Sequence, residues 1–236
     1  MQRVYLLSLS LFVMTVWQTA IAVESLDYSI ARGGKLYDKW YKTNSTGTPK
    51  GANPAYPDSG KYKGKKGSDW RCKECHGWDY LGKNGAYSKG KHFTGIDGVL
   101  QAGAKGETDL KALLRNKNHG YTAGMLTERD IADLSNFIRK GMLDMDRHIN
   151  RETGKVTGDV NRGASYYQTI CAGCHGLDGK KEEEAPPLGK LSHKNPWETL
   201  HKIRNGQPGS EMPSMQAFDI GVSVDILAYL QTLPKE

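Results

Sequence analysis

The sequence predicts an all-α chain of two tandem, similar helical domains, the first enlarged by a long loop. Three observations predict this. The pentapeptide Cys-x-x-Cys-His occurs twice, as Cys72-Lys-Glu-Cys75-His76 and Cys171-Ala-Gly-Cys174-His175. A segment with glycine and tyrosine precedes each copy: Gly34-Lys-Leu36-Tyr37 and Gly163-Ala-Ser-Tyr166-Tyr167. Each half then closes with apolar residues at helical spacing.

The N-terminus reads Met1-Gln-Arg3, an apolar run from Val4 to Trp17, and Ala20-Ile21-Ala22. A basic start, a hydrophobic core and small residues at A-x-A positions make a secretory signal peptide over residues 1–22. Cleavage is expected after Ala22, which places the mature chain in the periplasm. An uncleaved anchor is the alternative, but Ser8, Ser10, Thr15, Gln18 and Thr19 dilute the run. No later stretch is apolar enough to span a bilayer, so no stable membrane insertion is expected after cleavage.

The first domain is expected over residues 23–148. Gly163 lies 8 residues before Cys171, whereas Gly34 lies 38 before Cys72, so an insertion occupies about 42–70. Its glycines, prolines and lysines read as an irregular loop rather than a helix or strand. Thr127 can cap the closing helix, which carries Ile131, Leu134 and Ile138 on one face. The polar stretch Asp144–Asn161, with Gly154 and Gly158, holds a linker at 149–160. The second domain then covers 161–236. Its closing helix shows Val224, Leu227, Tyr229 and Leu230 before Pro234 stops it.

The repeated pentapeptide carries the chemistry. Two thiols three apart share one face of a helical turn. They can bond the two vinyl groups of one porphyrin, and the histidine that follows can ligate its iron. Cys72, Cys75 and His76 would hold one covalent c-type haem, and Cys171, Cys174 and His175 a second. A four-cysteine zinc site or two redox dithiols are the alternatives, and neither requires a histidine after each pair. Thioether bonds would use all four cysteines, so no disulfide is expected. An apolar content of only 37% suits two small cores built around buried porphyrins.

With its opening helix, CxxCH, proline loop, distal ligand and closing helix, each half resembles the class I cytochrome c domain. The chain is identified as a dihaem member of that family. In the family the opening and closing helices cross closely, and a glycine such as Gly34 or Gly163 leaves room. The resemblance makes His76 and His175 the proximal ligands. It also makes Pro187 the residue whose carbonyl accepts the His175 N–H.

Gly209-Ser-Glu-Met212-Pro213-Ser-Met215 looks like the family's distal methionine loop, with Met212 as ligand and Met215 as its close competitor. The first half has no Met-Pro. His119 lies 18 residues before Phe137, within one residue of the family's methionine position, and implies bis-histidine ligation. Met125, only 12 before Phe137, competes with it. The expected metal ligands are therefore His76, His119, His175 and Met212. His92 reads as a surface or propionate-contacting residue. His148, His193 and His201 have no placement that recommends them as ligands.

Charge is uneven. Residues 23–150 carry 22 Lys and Arg against 15 Asp and Glu, and residues 151–236 carry 10 against 11. An exported haem protein meets little nucleic acid, so the expected partner is a redox protein with an acidic docking face. Lys61, Lys63, Lys65, Lys66, Arg71 and Lys73 form the expected patch. The leading function is single-electron transfer between redox partners, because two six-coordinate irons leave no position for substrate. A peroxidase, a sulfur-compound dehydrogenase or an electron-transfer subunit of a larger complex are the alternatives. The thiosulfate dehydrogenase type is known for a cysteine distal ligand, and this chain has no spare cysteine.

Overall fold

The computed structural model describes residues 24–183 and 185–236; the expected signal peptide lies outside them. The described residues form helices α1 (Leu26–Thr43), α2 (Cys72–His76), α3 (Glu107–Arg115), α4 (Glu128–Asn136), α5 (Val160–Tyr166), α6 (Ala172–His175), α7 (Leu188–Lys194), α8 (Pro196–Asn205) and α9 (Ile220–Leu230). Among them there is no β-strand, only the isolated bridges Gly82↔Asp97 and Ile149↔Val156.

Local chemistry starts the principal helices. Ser25 Oγ accepts from Tyr28 N–H at the head of α1, and Asn195 caps α8 with Pro196 in its first turn. Thr127 and Asp130 form a reciprocal capping box on α4, two orphan donors being satisfied at once. Ile131 and Leu134 of α4 are buried as expected. Phe137, in the π-helical turn that extends it, is buried more completely than Ile138.

One set of contacts recurs in both halves. Arg32-Gly33-x-x-x-Tyr37 lies on α1, and Arg162-Gly163-x-x-x-Tyr167 lies on α5 and its extension. α1 packs across α4, and α5 packs across α9. A Cβ on Gly33 would overlap the Asp133 carbonyl, and one on Gly163 the Asp225 carbonyl. Arg32 pairs with Asp133 at 2.5 Å, and Arg162 with Asp225 at 2.8 Å. Tyr37 donates to the Gly77 carbonyl at 2.7 Å, and Tyr167 to that of Gly176 at 2.7 Å. Each of those glycines follows a CxxCH and adopts a positive φ, 80° and 75°. The repeat therefore reaches from helix crossing to motif.

One expectation needs correcting. Gly33, not Gly34, makes room for the crossing of α1 with α4; Gly34 faces Asn205 of α8. In the expected linker, 149–160, Ile149 is buried and Arg151 joins Asp79 to Asp146, each at 2.7 Å, while the other residues are half-buried or exposed. α1, kinked at Lys39, ends at Thr43, close to the expected start of the insertion. The remainder, 44–67, is irregular but folded inward. Tyr56 is buried, and Asp69 accepts the N–H groups of Asn53 and Gly64 at 2.9 and 2.8 Å.

Candidate haem sites

α2 presents Cys72, Cys75 and His76 on one turn. Trp40 and Tyr121 wall the site: the Trp40 indole and the Tyr121 hydroxyl both donate to the Trp70 carbonyl, at 2.9 and 2.8 Å. Tyr121 Oη lies 3.9 Å from Cys72 Sγ. The His76 Nδ1 bonds the Asp97 carbonyl at 2.7 Å. That carbonyl can only accept, so Nδ1 carries the proton and Nε2 keeps its lone pair for a metal. Burial lowers His76 to about 4, which favours the neutral, ligating ring. Asp97 thus does in the first half what Pro187 was expected to do in the second, and backbone acceptors leave no signature in sequence.

His119 is brought opposite His76. The ring centroids lie 6.4 Å apart, with 25° between the planes. Two imidazoles sharing one metal through bonds of about 2 Å put their centroids about 6 Å apart. The His119 Nδ1 is buried without a hydrogen-bond partner, and burial lowers its pKa. The insertion braces this loop. Asn53 Nδ2 donates to the His119 carbonyl at 3.4 Å, and a Cβ on Gly120 would lie 3.1 Å from Pro54. Met125, the competitor, offers its carbonyl to Asn44 at 2.9 Å, and its side chain packs against the core.

The second site is more open. Cys171 is half-buried, Cys174 is exposed, and no atom lies within 4 Å of a Cβ built on Gly173. Leu177, next to the motif, is 69% exposed. The His175 Nδ1 is buried and unpartnered. The Pro187 carbonyl instead accepts the Leu191 N–H at 3.0 Å at the start of α7, so the expected proximal bond is not formed. Met212 is half-buried and lines a groove of about 470 Å³ with Tyr28, Ala31 and Lys35 of α1. Met215 is only 5% exposed, and its N–H is held by the Ile203 carbonyl at 3.1 Å. Of the two sulfurs, that of Met212 is the one not committed to the core.

The donor set fits haem better than the alternatives. Among the described residues no group of three or more His, Cys, Asp and Glu side chains gathers as a metal site. Burial pushes the Cys72, Cys75 and Cys171 thiols up to about 11, 12 and 11, so they are protonated at neutral pH. When bound, haem would be held by each Cys pair and its histidine, and would supply an iron that gains and loses one electron.

Of the other histidines, His92 bonds buried Glu74 at 2.6 Å and stacks between Tyr62 and Tyr87, at 5.0 and 4.7 Å. His193 bonds the Gly189 carbonyl at 2.8 Å. The expected basic patch is only half on the surface. Arg71 is paired with Asp38, Lys73 is buried against Glu74, and Lys63 bonds the Asn53 and Tyr56 carbonyls. Lys61, Lys65 and Lys66 are exposed, and the Tyr62–His92 stack brings exposed Lys89 and Lys91 toward them. Sequence reasoning missed these last two because they lie outside the insertion.

Among the described residues no helix is long and apolar enough to cross a membrane. No curated protein matches the chain. Residues 158–229 match the family model described as Cytochrome C oxidase, cbb3-type, subunit III. The second half is therefore a cytochrome c domain, with the covalently bound haem iron and the electron transfer to redox partners that such a domain implies.

Proposed function

We propose that the chain is a periplasmic dihaem c-type cytochrome, two tandem cytochrome c domains passing single electrons between redox partners. The observation that carries this reading is the His76–His119 pair at 6.4 Å, in a half that the family match does not cover. The recurrence of the Arg-Gly-x-x-x-Tyr contacts supports the duplication. His76 and His119 would ligate the first iron from both sides, and His175 with Met212 the second. A thioether ligand raises the potential relative to two histidines, so electrons would rest on the second haem at equilibrium.

The residues around the first site fix its ligands: the Asp97 carbonyl orients His76, and Asn53 braces the His119 loop. With both irons six-coordinate, the purified protein is expected to exchange electrons rapidly and reversibly with artificial donors. It should turn over peroxide or thiosulfate only slowly. Rapid turnover of either substrate would move the protein to the enzyme class.

The partner proposed is a redox protein with an acidic face, met by Lys61, Lys65, Lys66, Lys89 and Lys91. Exposed charges are screened beyond about 8 Å at physiological ionic strength, so association should slow about tenfold or more from low to physiological salt. Replacing Lys61, Lys65, Lys66 and Lys89 with Glu should slow association at low salt and leave both potentials nearly unchanged. Stopped-flow rates with the partner check this; rates indifferent to salt and to the replacements would move docking elsewhere.

A further inference from the structure

His201 is 0% exposed where the two halves meet, and both ring nitrogens are used. Nε2 donates to the Gly34 carbonyl at 3.0 Å, and Nδ1 accepts from the Tyr80 hydroxyl at 2.9 Å. The carbonyl accepts only, so Nε2 carries the proton. Burial lowers His201 to about 4, in keeping with a neutral ring.

The surroundings of the ring are dry. Trp78, Phe137, Tyr37 and Tyr80 lie with ring centroids 5.1, 5.6, 5.8 and 6.0 Å from it, and none is more than 1% exposed. Gly34 sits so close to Asn205 that a Cβ would overlap its side chain, and Asn205 Nδ2 donates to the His201 carbonyl at 2.9 Å. At the edge of the contact Lys202 reaches Asp38 at 3.0 Å, and Arg71 binds the same carboxylate. Burial alone would raise Asp38, but Lys202 and Arg71 outweigh it and hold the group at about 2. The ion pair therefore persists at neutral pH.

This contact joins elements next to His76 in the first half with the helix that holds the Met212 loop in the second. Trp78 and Tyr80 follow His76 by two and four residues, and Tyr37 bonds the intervening Gly77 carbonyl. On the other side, α8 holds the loop that carries Met212. Ser214 Oγ donates to the Arg204 carbonyl at 2.6 Å, and Arg204 Nη1 to the Met215 carbonyl at 2.8 Å. Separating the halves would expose four large aromatic rings and break both imidazole bonds.

We propose that His201 is a positioning residue for electron transfer between the two haem sites. It pins the halves in one closed arrangement, so the electron crosses a dry interface with no domain rearrangement. One electron passes from one site to the other, and no bond is made or broken. The inference rests on the dihaem reading above.

The test uses the full mature protein with both haems. A flash reduces the protein by one electron, and equilibration between the two haem spectra is followed as sucrose raises the viscosity. The wild-type rate is expected to be independent of viscosity. Tyr80→Phe removes one bond to His201 and keeps the ring. Gly34→Ala wedges a methyl group against Asn205 and leaves the aromatic rings and all iron ligands in place. Tyr80→Phe is expected to raise the open population about tenfold, the typical consequence of stranding one buried polar group, and Gly34→Ala to raise it at least as much through the clash with Asn205. In each variant a second phase that slows as viscosity rises should appear, its amplitude about tenfold that of any such phase in the wild type, with both potentials and both resting spectra unchanged. A wild-type rate that falls in proportion to viscosity, or variants matching wild type at every viscosity, would overturn the proposal. A matured protein with a single haem would overturn the dihaem reading itself, a result seen before any rate is measured.

Discussion

His119→Ala is expected to convert one haem of the two to a high-spin form that binds carbon monoxide rapidly when reduced. The His119 ring lies 6.4 Å from that of His76, and its Nδ1 is buried without a protein partner. Removing the ring leaves an open coordination position, because Tyr121, the next aromatic on the same loop, is tied to the Trp70 carbonyl at 2.8 Å. Met125 is held in place by its packing on the core and its bond to Asn44. Electron paramagnetic resonance of the oxidised protein should show a high-spin signal from about half of the iron, the other haem being untouched. If Met125→Ala produces that signal and His119→Ala does not, the distal ligand of the first haem is Met125.

Met212→Ala is expected to abolish the sulfur-to-iron charge-transfer band and to lower one reduction potential, that of the second haem. Met215→Ala serves as the comparison. Met215 is 5% exposed and packed in the core, so its truncation should cost about 2–5 kcal/mol of stability while leaving the band in place. Met212 is half-buried and lines a groove, so its truncation should cost little stability. Near-infrared absorption and a thermal melt separate the two roles. Loss of the band in Met215→Ala alone would reverse them.

The motif, the Thr127 cap and the closing helices were legible because their chemistry is local. Thr127 with Asp130 three residues later is a capping signature in any fold, and it caps α4 here. What sequence left undecided depended on partners distant along the chain. Gly33 and Gly34 are adjacent, and about 100° of helical rotation decides which meets α4 and which meets α8. Arg71 and Lys73 read as surface charge, yet Asp38, 33 residues before Arg71, and the neighbouring Glu74 take them inside. The His76 proton goes to the Asp97 carbonyl, an acceptor that any residue at that position would supply. His201 carried no motif at all. Its role at the contact between halves comes from Tyr80 and Gly34, 121 and 167 residues away.

The central claim is that both CxxCH motifs of one chain carry haem. The most direct measurement is the haem-to-polypeptide ratio of the purified, matured protein, from pyridine haemochrome absorbance and the intact mass after acid-acetone extraction. Two haems per chain, both retained after denaturation, is the result predicted. One haem per chain in fully matured protein would contradict the account, because one of the two CxxCH motifs would then carry none.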